Sequence, residues 1–73
     1  MPPEYTEEQL KNRYTYHAPK DDQPMRYSEI RSAILAAARV INQNVPASVE
    51  KEVAFGHLDG AMMFANAGIA RNE

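Results

Sequence analysis

The chain has 73 residues, with eight lysines and arginines against ten aspartates and glutamates, a formal charge of −2 and no cysteine. A chain of this size forms one domain with a marginal core, and without cysteine neither a disulfide framework nor a thiolate metal site can stabilise it. Its acidic balance argues against long nucleic acid as a partner, because duplex-binding proteins neutralise many phosphates with a basic face. The longest apolar run, AILAAARVI, is interrupted by Arg39, so we expect neither a signal peptide nor a membrane span.

Residues 1–15 predict an N-terminal arm with a short helix over about 6–13. Thr6 is followed three residues later by Gln9, which is the spacing of a capping box, in which each side chain accepts from the other residue's free backbone N–H. The helix has few apolar residues beyond Leu10, so on its own it would be marginal.

A first long helix is predicted from Pro24 to about Gln43. Proline fits the first position of a helix, and apolar side chains then recur every three or four residues in a seam. The acidic pair Asp21 and Asp22 stands just before the start, where carboxylates cap a helix and interact well with its dipole. The seam consists of Tyr27, Ile30, Ile34, Ala37 and Ile41, widened by Leu35 and Ala38.

A second long helix is predicted over about 49–71. Pro46 disfavours helix at Val45, and Ser48 is a good N-cap. A short loop should therefore join two antiparallel helices, and residues 16–73 are predicted to form an all-α helical hairpin domain. The expected inner face of the second helix consists of Val49, Val53, Leu58, Met62, Ala65 and Ile69.

Three apolar side chains of the second helix fall outside that inner face, namely Phe55, Met63 and Phe64. A two-helix unit with a second apolar face usually buries it against another copy, so we expect a homo-oligomer that associates through the hairpin. The alternative is that all three side chains complete the core of a single chain.

No catalytic constellation is recognisable in the sequence, so we expect a protein that is not an enzyme and that uses no cofactor or metal. It lacks a cysteine nucleophile, an HExxH motif and a glycine-rich phosphate loop. His57 and Asp59 could meet a metal, but no third ligand follows at a fixed spacing. Capping explains Asp21 and Asp22 better than acid–base catalysis does.

The segment YHAPKDDQPMRY, residues 16–27, is irregular, aromatic and cationic in a chain that otherwise predicts helix. Aromatic rings stack on nucleotide bases, and charged donors near a helix N-terminus hold phosphates, so the segment has the parts of a nucleotide site. The alternative is that Tyr16 and Tyr27 only pack the extended arm against the hairpin. The residues that carry these chemical groups are Tyr14, Tyr16, His17, Lys20, Gln23 and Arg26.

Two stretches, TYHAPKDDQPMRYSEIR and MMFANAGIARNE, resemble short phage proteins built on a helical hairpin domain, which anti-CBASS cyclic-oligonucleotide sponges share with the hairpin portion of anti-Thoeris sponges. The likeness covers roughly residues 15–73. It implies a phage-encoded decoy in the cytoplasm of the infected bacterial host, which binds cyclic di- or trinucleotide signals without cleaving them, so that the immune effector stays off. It also implies dimers that build into hexamers, with pockets shared between protomers.

The resemblance further implies which residues bind the ligand. In the anti-CBASS family a tyrosine just ahead of the first long helix stacks on a base, and a basic residue fifteen positions later approaches the phosphate. Tyr16 and Arg31 stand at that separation, with arginine where the family commonly has lysine. Secondary candidates in the family-like stretches are His17, Gln23, Arg26, Asn66 and Arg71, although an arginine in the last helical turn is also favourable for the dipole alone.

A structural or protein-interaction hairpin that binds no small molecule is the competing hypothesis. Both hypotheses predict oligomerisation, so oligomeric state does not separate them, whereas only the sponge predicts binding of cyclic nucleotides. Nucleotide processing is a third hypothesis, and the missing metal and general-base pattern argues against it.

Overall fold

The computed structural model describes residues 4–73, and residues 1–3 of the predicted arm lie outside the described range. The described chain forms three α-helices without any strand, which confirms the all-α prediction. They are α1 (Glu7–Tyr14), α2 (Gln23–Asn44) and α3 (Val49–Asn72). Helix α2 begins one residue earlier than predicted, which puts Pro24 at the second helical position. Within residues 4–73 no helix combines the length and apolar character needed to cross a bilayer.

Helix α1 begins with the capping box that the sequence predicts. The Thr6 hydroxyl accepts a hydrogen bond from the Gln9 backbone N–H at 3.1 Å, and the Gln9 side chain accepts from the Thr6 N–H at 2.8 Å. The other end of α1 is tied to α3, because Asn12 Nδ2 donates to the Arg71 carbonyl and the Arg71 guanidinium donates to the Arg13 carbonyl, each at 3.1 Å. These bonds give the short helix the tertiary support that its few apolar side chains do not supply.

The start of α2 differs from the predicted capping arrangement. Asp22 occupies the N-cap position but makes no side-chain capping bond, and its carboxylate accepts from Arg26 at 3.3 Å instead. Asp21 has a φ of 53°, in the left-handed region that aspartate tolerates better than most residues. Gln23 reaches back, and its Oε1 accepts from the Lys20 backbone N–H at 3.1 Å. The prediction of a carboxylate cap is therefore wrong for Asp22, because its carboxylate pairs with the Arg26 guanidinium one turn further along α2.

Helices α2 and α3 lie side by side and run in opposite directions. Ser48 caps α3 as predicted, with its hydroxyl accepting from the Lys51 N–H at 3.1 Å. Near this cap Lys51 Nζ donates to the Asn42 carbonyl at 3.2 Å, whereas at the far end Arg26 binds the Glu73 carboxylate. The start of each helix therefore lies beside the end of the other, which brings the segment before α2 next to the last turns of α3.

The α2 side of the seam between the long helices follows the predicted periodicity. All five predicted seam residues are half-buried, and so is Ala38. Leu35, expected to widen the seam, is exposed instead. The half-buried seam residues of α2 are Tyr27, Ile30, Ile34, Ala37 and Ile41.

The α3 side of the seam differs from the predicted inner face. Phe55 is half-buried, although the sequence placed it outside that face. Steps of three and four residues lead from Phe55 to Leu58 and Met62, so the seam avoids the five-residue step that a start at Val53 requires. Ile69 is half-buried as predicted. The residues that are exposed contrary to prediction are Val49, Val53 and Ala65.

The described chain is flat and has little interior. Its Cα radius of gyration is 15.9 Å, against about 11 Å for a compact chain of this length. Among residues 4–73 only Gln23 is buried, at 4 % exposure, and no apolar side chain is. Met63 and Phe64 are 64 % and 77 % exposed, as expected for residues outside the seam. A single chain therefore leaves much of its apolar surface in water.

Candidate functional site

A groove lies where the segment between α1 and α2 meets the paired long helices, at the end opposite the α2–α3 loop. Its volume of about 360 Å³ is near the lower end for small-molecule sites. Four of the seven residues that the sequence singles out for ligand binding line it, namely Tyr16, His17, Arg31 and Asn66. The other lining residues are Pro19, Tyr27, Ala67 and Ala70.

The segment before α2 exposes the ring of Tyr16 to solvent and holds the ring of His17 by a hydrogen bond. Tyr16 is 83 % exposed, so its ring is free to stack on a flat ligand. His17 is half-buried, and its Nε2 lies 2.7 Å from the Asn12 carbonyl oxygen. Because a carbonyl oxygen only accepts, Nε2 is the donor in this contact. This bond ties the segment to α1 and fixes where Tyr16 leaves the fold.

Arg31 lies about two turns into α2 and is exposed. The two ion pairs within residues 4–73 both use Arg26, and neither uses Arg31. The Arg31 guanidinium therefore offers its planar set of N–H donors to the groove without a competing carboxylate. A phosphate diester is the kind of anion that such a group binds well.

Helix α3 contributes the opposite wall of the groove. Ala67 and Ala70 have side chains small enough to leave the groove open beside the helix. Asn66 Oδ1 is buried and has no hydrogen-bond partner among the described residues. Buried polar atoms nearly always have a partner, so Asn66 brings an unsatisfied acceptor to this wall.

Two further predicted residues, Gln23 and Arg26, belong to a separate cluster around Glu73. Arg26 donates to both carboxylate oxygens, one of them at 2.8 Å, and Gln23 Nε2 donates to Oε1 at 3.2 Å. Lys20 Nζ donates to the main-chain oxygen of Glu73 at 3.0 Å. These four residues are called the Glu73 cluster below. The cluster holds the end of α3 against the start of α2, and roles of Gln23 and Arg26 in ligand binding stay predictions.

The Glu73 cluster shifts the ionisation of its members. Hydrogen bonds, first from Arg26 and then from Gln23, lower the pKa of the Glu73 carboxyl from its usual 4.5 to about 2. The bonds to Glu73 and Asp22 hold the pKa of Arg26 above its ordinary value. A carboxyl whose pKa falls on folding stabilises the folded state above its unfolded pKa, and this contribution is lost as the pH falls through the folded pKa.

We expect Glu73→Gln to lower the melting temperature at neutral pH, because the amide cannot replace the charged partner of Arg26. The difference from wild type should shrink as the pH falls from about 4.5 to about 2. Circular dichroism melting curves across this range measure the effect. Glu29→Gln, at an exposed position of α2 outside both described ion pairs, is the matched control. A difference that does not change with pH would contradict a role for the Arg26–Glu73 pair.

Arg71 lies outside the groove, in a second pocket of about 240 Å³ between α1 and α3. Its bond to the Arg13 carbonyl shows that it joins the two helices. The Arg13 guanidinium lies 5.4 Å from the Tyr5 ring centroid in a cation–π contact that the sequence did not indicate. A ligand-binding role of Arg71 stays a prediction. The residues that line this pocket are Tyr5, Gln9, Asn12, Arg13, Arg71 and Asn72.

Sequence reasoning missed Pro19, Ala67 and Ala70 as groove residues, because side chains without polar groups carry no chemical signal. One signal was available for the two alanines. Ala70 follows Asn66 by four positions and Ala67 by three, and both spacings make side chains neighbours on a helix surface. A binding role for Asn66 therefore implies that the two alanines lie beside the same ligand.

One family model matches the chain, and its description is Acb2/Tad1, hairpin domain. The match covers residues 6–70, which include all of α1 and α2 and most of α3. No curated protein and no solved structure matches the chain. The match begins at the α1 cap, whereas the resemblance read from the sequence begins near residue 15, and a domain boundary at residue 16 stays a prediction. Because the match spans most of its length, the chain belongs to the Acb2/Tad1 hairpin-domain family, which is the anti-CBASS and anti-Thoeris sponge family.

Proposed function

We propose that this protein binds and sequesters cyclic oligonucleotide second messengers without cleaving them, and so blocks CBASS-type signalling in the cytoplasm of an infected bacterium. Family membership supports a sponge as the general function. The observation that carries the proposal for this chain is the groove, where the exposed ring of Tyr16 and the unpaired guanidinium of Arg31 line one space.

The two groups divide the recognition of a nucleotide between them. Tyr16 supplies a ring face for a base, and such stacking contributes about 1–3 kcal/mol per base. Arg31 supplies charged donors for a phosphodiester oxygen, which form stronger hydrogen bonds than neutral donors do. Asn66 and His17 add polar atoms on the sides of the groove. Cyclic di- and trinucleotides combine both features, because each base lies next to a phosphodiester.

The proposed assembly is a homo-oligomer, from dimer to hexamer, in which a second copy completes the pocket. The groove of about 360 Å³ suits one base with its phosphate better than a whole cyclic dinucleotide, which has two of each. The flat shape of the chain and the exposed Met63 and Phe64 support association through the hairpin. A second protomer would bring a second Tyr16 and a second Arg31 to the other half of the ligand.

A protein-interaction hairpin without a small-molecule ligand is the second candidate function. The exposed apolar side chains Met63 and Phe64 favour it, because they would serve a protein partner as well as a second copy. The two candidates differ in one observable property. Only a sponge has saturable affinity for cyclic nucleotides that depends on Tyr16 and Arg31.

We expect a bound cyclic dinucleotide to be recovered intact after long incubation with the protein. The lining of the groove includes no carboxylate that could assist His17, and no group of three His, Cys, Asp or Glu side chains within residues 4–73 could hold a metal, so no assisted base or metal is arranged to activate water. Heat denaturation followed by chromatography of the released ligand measures its integrity, with ligand incubated without protein as the control. Linear products that increase with protein concentration and time would overturn the proposal of a non-enzymatic sponge.

A further inference from the structure

Asn66 is the one described residue of the groove with a buried side-chain polar atom that lacks a hydrogen-bond partner. Its Oδ1 is buried and has no hydrogen-bond partner in the described part of the chain. An amide also carries two N–H donors on Nδ2, and no described hydrogen bond to another residue uses them. Asn66 also lines the groove, so an occupant of the groove lies next to this side chain.

The chemistry of the amide indicates which base edge would form hydrogen bonds with both its oxygen and its N–H groups. An asparagine pairs in a two-bond arrangement with adenine, accepting from the N6 amino group and donating to N7. Guanine and hypoxanthine present an oxygen at the same position beside N7, so they satisfy Nδ2 and leave Oδ1 without a donor. Because Oδ1 is buried, contact with such a base requires the Asn66 side chain to rotate toward the groove, which the small side chains of Ala67 and Ala70 line beside it.

We propose that Asn66 reads the base in this groove and makes the protein prefer adenine-containing cyclic nucleotides. This inference rests on the proposed function and adds base specificity to it. The stacking and phosphate contacts proposed for Tyr16 and Arg31 do not supply that specificity. Stacking on Tyr16 is available to every base, and a phosphate contact from Arg31 is the same for all sequences.

The test compares cyclic di-AMP with cyclic di-IMP by calorimetric titration of the full chain. The two ligands have the same ring, phosphates and purine skeleton, and differ at C6, where oxygen replaces the amino group, and at N1, which then carries a proton. Wild type should bind cyclic di-AMP about ten- to a hundredfold more tightly. Asn66→Leu, which keeps the branch at Cγ without hydrogen bonding, should bring the ratio of the two affinities close to one. Arg31→Ala should weaken binding of both ligands and leave the ratio of their two affinities as in wild type.

Equal affinity of wild type for the two ligands would overturn this inference while leaving the sponge proposal intact. A wild-type preference that persists in Asn66→Leu would also overturn it, because another residue would then read the base. If Asn66→Leu fails to fold, Asn66→Ala serves as the second variant with the same expected loss of preference. A change in sedimentation of the Asn66 variants with an unchanged affinity ratio would assign Oδ1 to an interface between copies and overturn the inference. Absence of binding to every cyclic nucleotide would overturn the proposed function together with it.

Discussion

Replacing Tyr16 by alanine is expected to weaken binding of a cyclic dinucleotide about ten- to a hundredfold, because the change removes a stacking face worth about 1–3 kcal/mol. Arg31→Ala should weaken binding by a similar factor, since it removes a charge-assisted contact with a phosphate. Isothermal calorimetry with wild type and the two variants measures both effects. Each variant must first be shown to keep the helicity and the oligomeric state of wild type.

Conservative variants separate the chemical role of each group from a structural one. Tyr16→Phe should retain most of the affinity, because the ring face supplies the stacking and the hydroxyl does not. Arg31→Lys should fall between wild type and alanine, or near wild type if a point charge suffices. Arg39→Ala, at an exposed position of α2 outside the groove, should leave the affinity unchanged. If folded Tyr16→Ala and Arg31→Ala bind as tightly as wild type, the site lies elsewhere and residues 16–27 are structural.

Phe64→Asp is expected to shift the protein toward smaller species in sedimentation velocity at micromolar concentration. Phe64 is 77 % exposed in the single chain, and burying a phenylalanine contributes about 1.5–3 kcal/mol to an association. Its loss should raise the dissociation constant of the assembly at least about tenfold, and a buried aspartate should raise it further.

A single chain leaves a large surface uncovered, which supports this association. The accessible area is 6003 Å², against about 4,500 Å² for a compact monomer of this mass. His57→Asp, at an exposed position of the same helix, is the control for adding a charge to α3. A wild-type protein that sediments as a stable, compact monomer at micromolar concentration would contradict the expected oligomer.

Local signals in the sequence predict most of the secondary structure. The capping box of Thr6 and Gln9 and the N-cap of Ser48 depend on residues three positions apart, and the structure has both. The α2 seam also follows from local spacing, because its apolar residues repeat without a gap. Tyr16 and Arg31 were chosen from a family resemblance; both line one groove, and their roles in ligand binding stay predictions.

Features that depend on contacts distant in sequence were predicted less well. Helix α3 has apolar residues around much of its circumference, so its own sequence does not decide which face meets α2, and Phe55 replaces Val53 in the seam. Asp22 pairs with Arg26 instead of capping α2, and Arg26 also reaches Glu73, 47 residues away. The sequence does not predict that the Asn66 oxygen is buried without a hydrogen-bond partner, because this depends on how α3 packs beside the segment before α2.

Calorimetric titration of the wild-type protein with a panel of cyclic di- and trinucleotides and cyclic ADP-ribose isomers tests the central claim most directly. A cyclic-oligonucleotide sponge predicts saturable binding of at least one cyclic di- or trinucleotide, with a fixed stoichiometry relative to the protomer and with the ligand recovered unchanged. The absence of saturable binding to every member of the panel, by a protein shown to be helical and assembled, would contradict that claim and favour the protein-interaction hairpin.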